Sequence, residues 1–541
     1  MSRVDRIAFI GDGQSDVHLL VADAGLKGVN LARLDRLGLR VPPALVLNTA
    51  LAEEFHASGS LPAGFAVQLS GALRELEDAT GLTLGGSRPL LLSVRSSPVV
   101  AMPGMLDTVL NVGLTEAGVH HLIRRTGNPW LAWDCYRRLA RAFGEAGGQL
   151  PSGTFERLTA DHLARAGAHG LQELDPISMR ELACDSAALL RSAAVRPLPD
   201  DAAAQVVRAV ELVLSSWHTP RAQEYRRICG VDEDAGMAVI IQAMVLGNGG
   251  PRSGSGVGFT RNPANGDDEL YVDFVFNSQG DDVVSGREAV HDGDVLPAVL
   301  PDVWHELQRI RPVLEREFDD MQDFEFTVED GEVFFLQSHH GRRTPWAAAR
   351  IAVDLVRTGI VDPPTALRQL APYDLKTLVH RSVSRDTSRQ PIARAISAGP
   401  GVATGGVVFD VQRARQRAAS GPVILVRPVL RSADLPGIAA ADGVLTASGG
   451  RTSHTAVMAR QLGKACLVGC ADLRVNEPMQ LCMLGSRVLH EGDVITIDGD
   501  SGLVYAGRID VVVDRPDEAL AIIESWRRQM SVPATTGRFH S

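Results

Sequence analysis

The stretch from Asp442 to Cys470, DGVLTASGGRTSHTAVMARQLGKACLVGC, constrains the fold more tightly than any other part of the chain. Val444 to Ala447 is an apolar run suited to a buried strand, and Ala465 to Val468 suits a second. Between them Ser448-Gly449-Gly450 reads as a flexible loop and His454 to Leu462 as a helix, with Gly463 its C′ residue. Thr452 or Ser453 makes a good N-cap, which places His454 in the first helical turn. Free N–H groups and the positive end of the dipole favour an anion there and disfavour an imidazolium. A neutral imidazole beside a phosphate cradle is what a phosphoryl-accepting nucleophile needs. The plainer reading is that His454 only caps or packs against its helix. Ser453 is not a hydrolase nucleophile, because its neighbours do not form G-x-S-x-G.

The run Gly449-Gly450-Arg451-Thr452-Ser453-His454-Thr455-Ala456-Val457-Met458-Ala459-Arg460 closely resembles the phosphohistidine signature of the PEP-utilising enzymes. In that family the His carries phosphate between two active sites, so the resemblance makes His454 the catalytic residue. Two positions depart from it. Arg451 stands where pyruvate, phosphate dikinases usually have Met, and Thr455 where they have Ala.

A chain of 541 residues has room for three or four domains, each with its own core. Its formal charge of −11, with no Lys/Arg-rich cluster, argues against a nucleic-acid partner. The six cysteines form no CxxC pair, so neither a zinc ribbon nor a disulfide framework is expected. The apolar run in MSRVDRIAFIGDGQ is too short for a signal peptide, and nowhere do 18 apolar residues follow one another. The expected setting is the cytoplasm, away from membranes.

Other segments carry phosphate and metal chemistry. In Ala24 to Pro43, Gly25 and Gly28 bracket Lys27 ahead of a helix bearing Leu31, Leu34 and Leu37. A lysine in such a turn is either a phosphate contact or simply solvated. Arg95 ends a buried strand before the loops Ser96-Ser97-Pro98 and Met102-Pro103-Gly104, where it can clamp an anion or make a surface ion pair. Thr115 to Arg227 reads as mostly helical, with Trp130, Trp133 and Tyr136 in its core. From Ala238 to Gly286 the pattern is β. The loops Leu246–Gly250 and Ser253–Gly256 carry glycines that let backbone N–H groups approach a polyphosphate, with serines as further donors. Asp273 lies on the next strand. Residues 323 to 344 form a hairpin around Asp330-Gly331, with Asp323 and Glu325 on one face. Two such carboxylates beside a nucleotide are natural Mg²⁺ ligands; otherwise they face solvent on an ordinary edge. A two-residue turn puts Gln337 on the other face, and a three-residue turn puts it opposite Glu325.

In order and spacing these segments resemble the ATP-grasp nucleotide domain of pyruvate, phosphate dikinases, through LKGVNLARL, SVRSS, MPGMLDTVLNVGL, SGSGVGFTRNP and DMQDFEFTVEDGEVFFLQS. The resemblance implies nucleotide- and phosphate-binding roles for Lys27, Arg95, Gly104, Ser255, Asp273, Glu325 and Gln337, with Asp323 and Glu325 holding Mg²⁺. The family's Gln-x-Arg is Gln337-Ser338-His339 here, so a fixed cation becomes titratable, with Arg342 or Arg343 as substitutes. The implied architecture is an α/β (α+β) multidomain chain. An ATP-grasp domain occupies 1–345, with a helical subdomain near 115–227. A helical connector and linker follow at 346–394, its polar end from His380 serving as a swivel. The β/β/α phosphohistidine domain takes 395–512, and a helix and tail fill 513–541.

The family continues into a barrel that binds pyruvate and PEP. Such a barrel needs about 250 residues, more than lie beyond Asp510. The expected activity is therefore ATP-dependent pyrophosphorylation of His454 with release of AMP, then transfer to phosphate, giving pyrophosphate. Transfer to pyruvate, forming PEP, would need a separate acceptor-domain protein. Two other readings stay open: a kinase for another small molecule, and a non-catalytic phosphohistidine carrier or regulator. A homodimer is among the assemblies open to it.

Overall fold

The computed structural model describes residues 6–531, apart from 12, 14–18, 103, 147–149, 152, 194–197, 286–294, 376–377, 385–388, 432–433 and 451–453. The chain divides into two compact units. One is Met1–Ser253 with Thr327–Ser338, and the other is Gly254–Phe326 with His339–Ser541.

The first unit is built on a five-stranded antiparallel sheet of β1 (Ile7–Ile10), β2 (Ala44–Leu47), β3 (Leu92–Pro98), β4 (Thr108–Val112) and β5 (Met237–Ala243), in the order β1-β2-β5-β3-β4. β5, MAVIIQA, is buried at every position, as a central strand covered on both faces must be. The helical segment forms as read. Asn128 and Asp201 cap the helices Pro129–Glu145 and Ala202–Ser215 by accepting from Leu131 N and Ala204 N. Trp133 and Tyr136 are buried in its core, and Trp130 packs against that core half-buried.

Two readings of this unit change. Ser96-Ser97-Pro98 is not a loop but the end of β3, because β5 pairs with it as far as Pro98 opposite Met237. Arg95 accordingly lies within the strand, between Ile240 on β5 and Thr108 on β4.

The second unit opens with β6 (Gly254–Phe259) and β7 (Tyr271–Phe276), then β8 (Gln322–Glu329) and β9 (Glu332–His340), in the order β7-β6-β8-β9. Thr327–Ser338 of the hairpin belong to the first unit. The glycines of β6 have a packing role that the sequence did not suggest. A Cβ on Gly254 would fall 2.3 Å from the Phe274 ring, on Gly256 2.6 Å from Phe326, and on Gly258 2.3 Å from Phe324. Phe274 and Phe326 stack at 5.8 Å. These glycines make room for aromatic rings, so on this face they do not bring backbone to a polyphosphate.

The second unit also holds an eight-stranded sheet whose middle is parallel. Val402–Val408, Val423–Arg427, Gly443–Thr446 and Ala465–Val468 run side by side, flanked by antiparallel strands. Helix His454–Gln461 links the last two, and Gly463, at φ 67, ends it by donating to Arg460 O. The strand before this sheet, His380–Val383, pairs with the strand after it, Val511–Asp514, so part of the expected linker is a two-stranded ribbon. The terminal helix Asp517–Ser531 packs Ile523 and Trp526 among the connector helices Pro345–Arg357 and Pro363–Leu370. No described helix is long and apolar enough to cross a membrane.

Gly258→Ala should lower stability by about 1–3 kcal/mol, through overpacking against Phe324. Gly71→Ala, in a helix with nothing within 4 Å of the new methyl, should raise it. Urea midpoints of the two variants check both signs.

Candidate active site

In the first unit, local packing fixes where Lys27 stands. Helix Val21–Arg36 breaks at Gly25 (φ 66, ψ 172) and resumes, which places Lys27 in the first turn after the break. The break is obligatory. A Cβ on Gly25 would lie 1.8 Å from Ser97 O, and positive φ excludes most side chains in any case. Gly28 N–H donates to Ser97 Oγ at 3.0 Å, and that hydroxyl donates to Ala24 O at 2.7 Å. The start of the Lys27 helix is thus bolted to β3, two residues beyond Arg95. Both cations are half-buried. Gly104 takes φ 69 in a turn where Met105 N–H donates to Met102 O. Arg221 holds this turn by donating from Nε to Met105 O at 3.0 Å and by an ion pair with Asp107.

The hairpin turns on two residues, Asp330 (φ 48) and Gly331 (φ 85), the left-handed pair of a type I′ turn. Gln337 is buried and alternates onto the face of Val333 and Phe335. Of the two registers open to the sequence, it follows the one that separates Gln337 from Asp323 and Glu325. Its Oε1 has no partner.

In the second unit, Phe324 and Phe326 point to the glycine side of β6, so alternation sends Asp323 and Glu325 to the opposite face. Ser255 and Asp273 share that face, because the strand positions Ser255↔Val275 and Val257↔Asp273 lie opposite one another and Phe274 points the other way. Ser255 and Asp273 are fully buried. Ser255 Oγ donates to Ser278 O at 2.9 Å, which makes the serine a brace for the strand end.

Burial pushes the Asp323 carboxyl from 3.8 up to about 7; Arg342 opposes the shift, Glu325 adds to it, and His340 and Arg460 oppose it. The two substitutes for the missing family arginine therefore differ. Arg343 is buried and committed to Asp320, with Nη1–Oδ1 at 2.6 Å and Nη2–Oδ2 at 2.9 Å. Arg342 is the one whose charge acts on Asp323.

Arg460 closes the histidine motif, and sequence reasoning assigns it no role of its own. It is 2% exposed in the last turn of helix His454–Gln461, its Nε donates to Ala398 O at 2.9 Å, and its guanidinium stands 5.8 Å from the Phe259 ring. The hydrogen bond holds the helix that begins with His454 to strand Ile396–Gly399 of the eight-stranded sheet, and the ring contact reaches β6 of the sheet carrying Asp323. Length was the available signal: an arginine in an otherwise small and apolar helical run needs a specific buried partner. The proposed N-caps Thr452 and Ser453 lie outside the described residues, as does the side chain of His454.

Residues 56–296 match the family model described as pyruvate phosphate dikinase, AMP/ATP-binding domain. Residues 419–502 match that of the PEP-utilising enzyme, mobile domain, with His454 inside the match. The pyruvate, phosphate dikinase of Rhizobium meliloti (strain 1021) is 39% identical over 526 residues, covering 94% of this chain and 59% of its own length. The chloroplastic enzyme of Flaveria pringlei is 38% identical over 524 residues, covering 96% and 54%. This chain belongs to the pyruvate, phosphate dikinase and PEP-utilising enzyme family. It spans little more than half the length of these relatives. Within the family's nucleotide-binding model fall Arg95, Gly104, Ser255 and Asp273, whereas Lys27, Asp323, Glu325 and Gln337 lie outside its bounds.

The Asp323 shift has a pH consequence. The unfolded chain ionises this carboxyl near 3.8 and the folded chain only near 7, so ionisation favours unfolding between these values. Its contribution to stability is complete below pH 3.8 and is lost as pH rises through 7. In Mg²⁺-free buffer, Asp323→Asn should flatten the fall in wild-type stability across this window, as read by denaturant midpoints at several pH values.

Proposed function

We propose that this chain carries out the ATP-dependent half of a pyruvate, phosphate dikinase-type reaction, with His454 as the phosphoryl carrier. The observation that carries the reading is His454 at the head of a helix within the family's mobile-domain match. Nucleophilic attack by the imidazole on the β-phosphorus of ATP would break the bond to the α-phosphate oxygen, and AMP would leave. The pyrophosphohistidine would then give its terminal phosphoryl to inorganic phosphate, leaving phosphohistidine and pyrophosphate. Onward transfer to pyruvate would take place on an acceptor domain outside these residues.

Lys27 and Arg95 would bear on the phosphates, since the Ser97 contacts hold the Lys27 helix to the strand that presents Arg95. Such fixed cations stabilise developing phosphate charge without reorganising at the moment of reaction. Gly104, Ser255, Asp273 and Gln337 belong to the proposed nucleotide site on resemblance, Ser255 as a brace rather than a direct donor. Among the described residues no three His, Cys, Asp or Glu side chains gather to hold a metal. Asp323 and Glu325 would therefore hold Mg²⁺ together with phosphate oxygens, a donor set that suits this ion. When bound, Mg²⁺ would neutralise phosphate charge, and it would favour the ionised form of Asp323. The paired strands His380–Val383 and Val511–Asp514 support travel of the His454 module, because its entry and exit share one narrow ribbon.

ATP labelled at the β-phosphate should leave acid-labile, base-stable label on the protein, and His454→Ala should abolish the label while ATP still binds. Label persisting in that variant would move the carrier elsewhere. Lys27→Ala and Arg95→Ala should each cost about 2–4 kcal/mol in nucleotide binding or labelling rate. Unchanged affinity and rate in both would return them to the role of solvated cations.

A further inference from the structure

Asn248 is 2% exposed, and neither its Nδ2 nor its Oδ1 has a hydrogen-bond partner. It is the one carboxamide among the described residues with both halves in this condition. Buried carboxamides that serve the fold are satisfied by it. Gln205 accepts from Gly113 N–H and donates to Pro199 O, and Gln242 donates to Pro42 O. A buried amide left unpaired on both sides is costly, so its position implies a partner from outside the chain.

The loop that carries it is fixed. Met244 N–H donates to Leu91 O, Asp330 N–H to Ser253 Oγ and Gly331 N–H to Arg252 O, while Glu329 accepts from Leu246 N–H. Gly249, the next residue, is exposed to a greater degree, so the buried amide lies just beneath the surface. The loop leaves β5 where Ala243 pairs with Leu92, whereas the Lys27 helix is bolted to Ser97. From Arg95 to Leu91 along β3 is roughly 13 Å at the rise of an extended strand, comparable with the span from a purine base to the phosphates it carries.

We infer that Asn248 reads the base of the bound nucleotide, with Oδ1 accepting from the adenine N6 amino group and Nδ2 donating to N7. This is the side-by-side donor and acceptor pattern that a carboxamide matches on adenine. The inference deepens the proposed function and rests on it. Asn248 thereby selects adenine over a 6-oxo purine, whose O6 would face Oδ1 with no hydrogen to share.

The test compares ATP with ITP by calorimetry on the full chain. Wild type should bind ATP about tenfold to a hundredfold more tightly than ITP. Asn248→Leu should bind the two alike, with no loss of nucleotide-free stability, because an apolar group of similar shape replaces an unpaired amide. Asn248→Asp keeps the acceptor and loses the donor, so it should bind ATP more weakly yet still prefer it to ITP. A wild type that does not distinguish ATP from ITP would overturn the inference, as would an Asn248→Leu protein that keeps the preference. Lower nucleotide-free stability with preference intact would assign the amide to an internal water and overturn it too. Failure of wild type to bind any nucleotide would overturn the proposed function along with it.

Discussion

The seating of three phenylalanine rings over three glycines decides how the second unit can be used. Phe274, Phe324 and Phe326 occupy the space that side chains at Gly254, Gly256 and Gly258 would fill. Because strand side chains alternate, filling one face with aromatic rings commits the other to Ser255, Asp273, Asp323 and Glu325. An acidic face, buried at Ser255 and Asp273 and shared with Val257 and Val275, is thus set by an apolar constraint. Its cost is visible at Asp323, whose carboxyl is held up to about 7 by burial and partly relieved by neighbouring cations. A carboxyl held near neutrality by burial ionises more readily when positive charge comes beside it.

The His454 module is connected to this surface by physical contacts as well as by chain. Arg460, on the same helix as His454, is buried against Phe259, and its charge acts on Asp323. Burying a guanidinium requires a hydrogen-bond acceptor and an opposing charge. Ala398 O supplies the acceptor, and the charge of Arg460 acts on Asp323 against the rise that burial imposes. The arginine therefore lies between the helix that begins at His454 and the Phe259 ring on the sheet that carries Asp323 and Glu325. In the first unit the Ser97 hydroxyl has a comparable office, joining the Lys27 helix to the Arg95 strand through Gly28 and Ala24.

Features with a strong local cause were legible in the sequence. The Asp330-Gly331 hairpin needs only its turn residues and flanking alternation, and the helix from His454 needs only its periodicity and Gly463. The helical segment after Thr115 carries its own caps. What escaped depends on partners distant in the chain. Ser96 to Pro98 read as a loop because nothing local shows that β5, beyond the whole helical segment, would pair with it. The β6 glycines read as phosphate-facing because the rings that need their space come from two other strands. Arg342 and Arg343 are adjacent and alike in sequence, and only Asp320 separates them, by claiming Arg343. The Gln337 register waited on the turn, whose two positive φ angles settled it.

The central claim is that ATP cleavage and His454 form one reversible half-reaction within this chain. Exchange of labelled AMP into ATP tests it most directly, since it requires only nucleotide binding and formation of the pyrophosphohistidine. With Mg²⁺ and unlabelled ATP present, and pyruvate absent, the account predicts that label from AMP enters ATP in wild type and that His454→Ala shows none. No exchange in the wild-type chain, or undiminished exchange in His454→Ala, would contradict it.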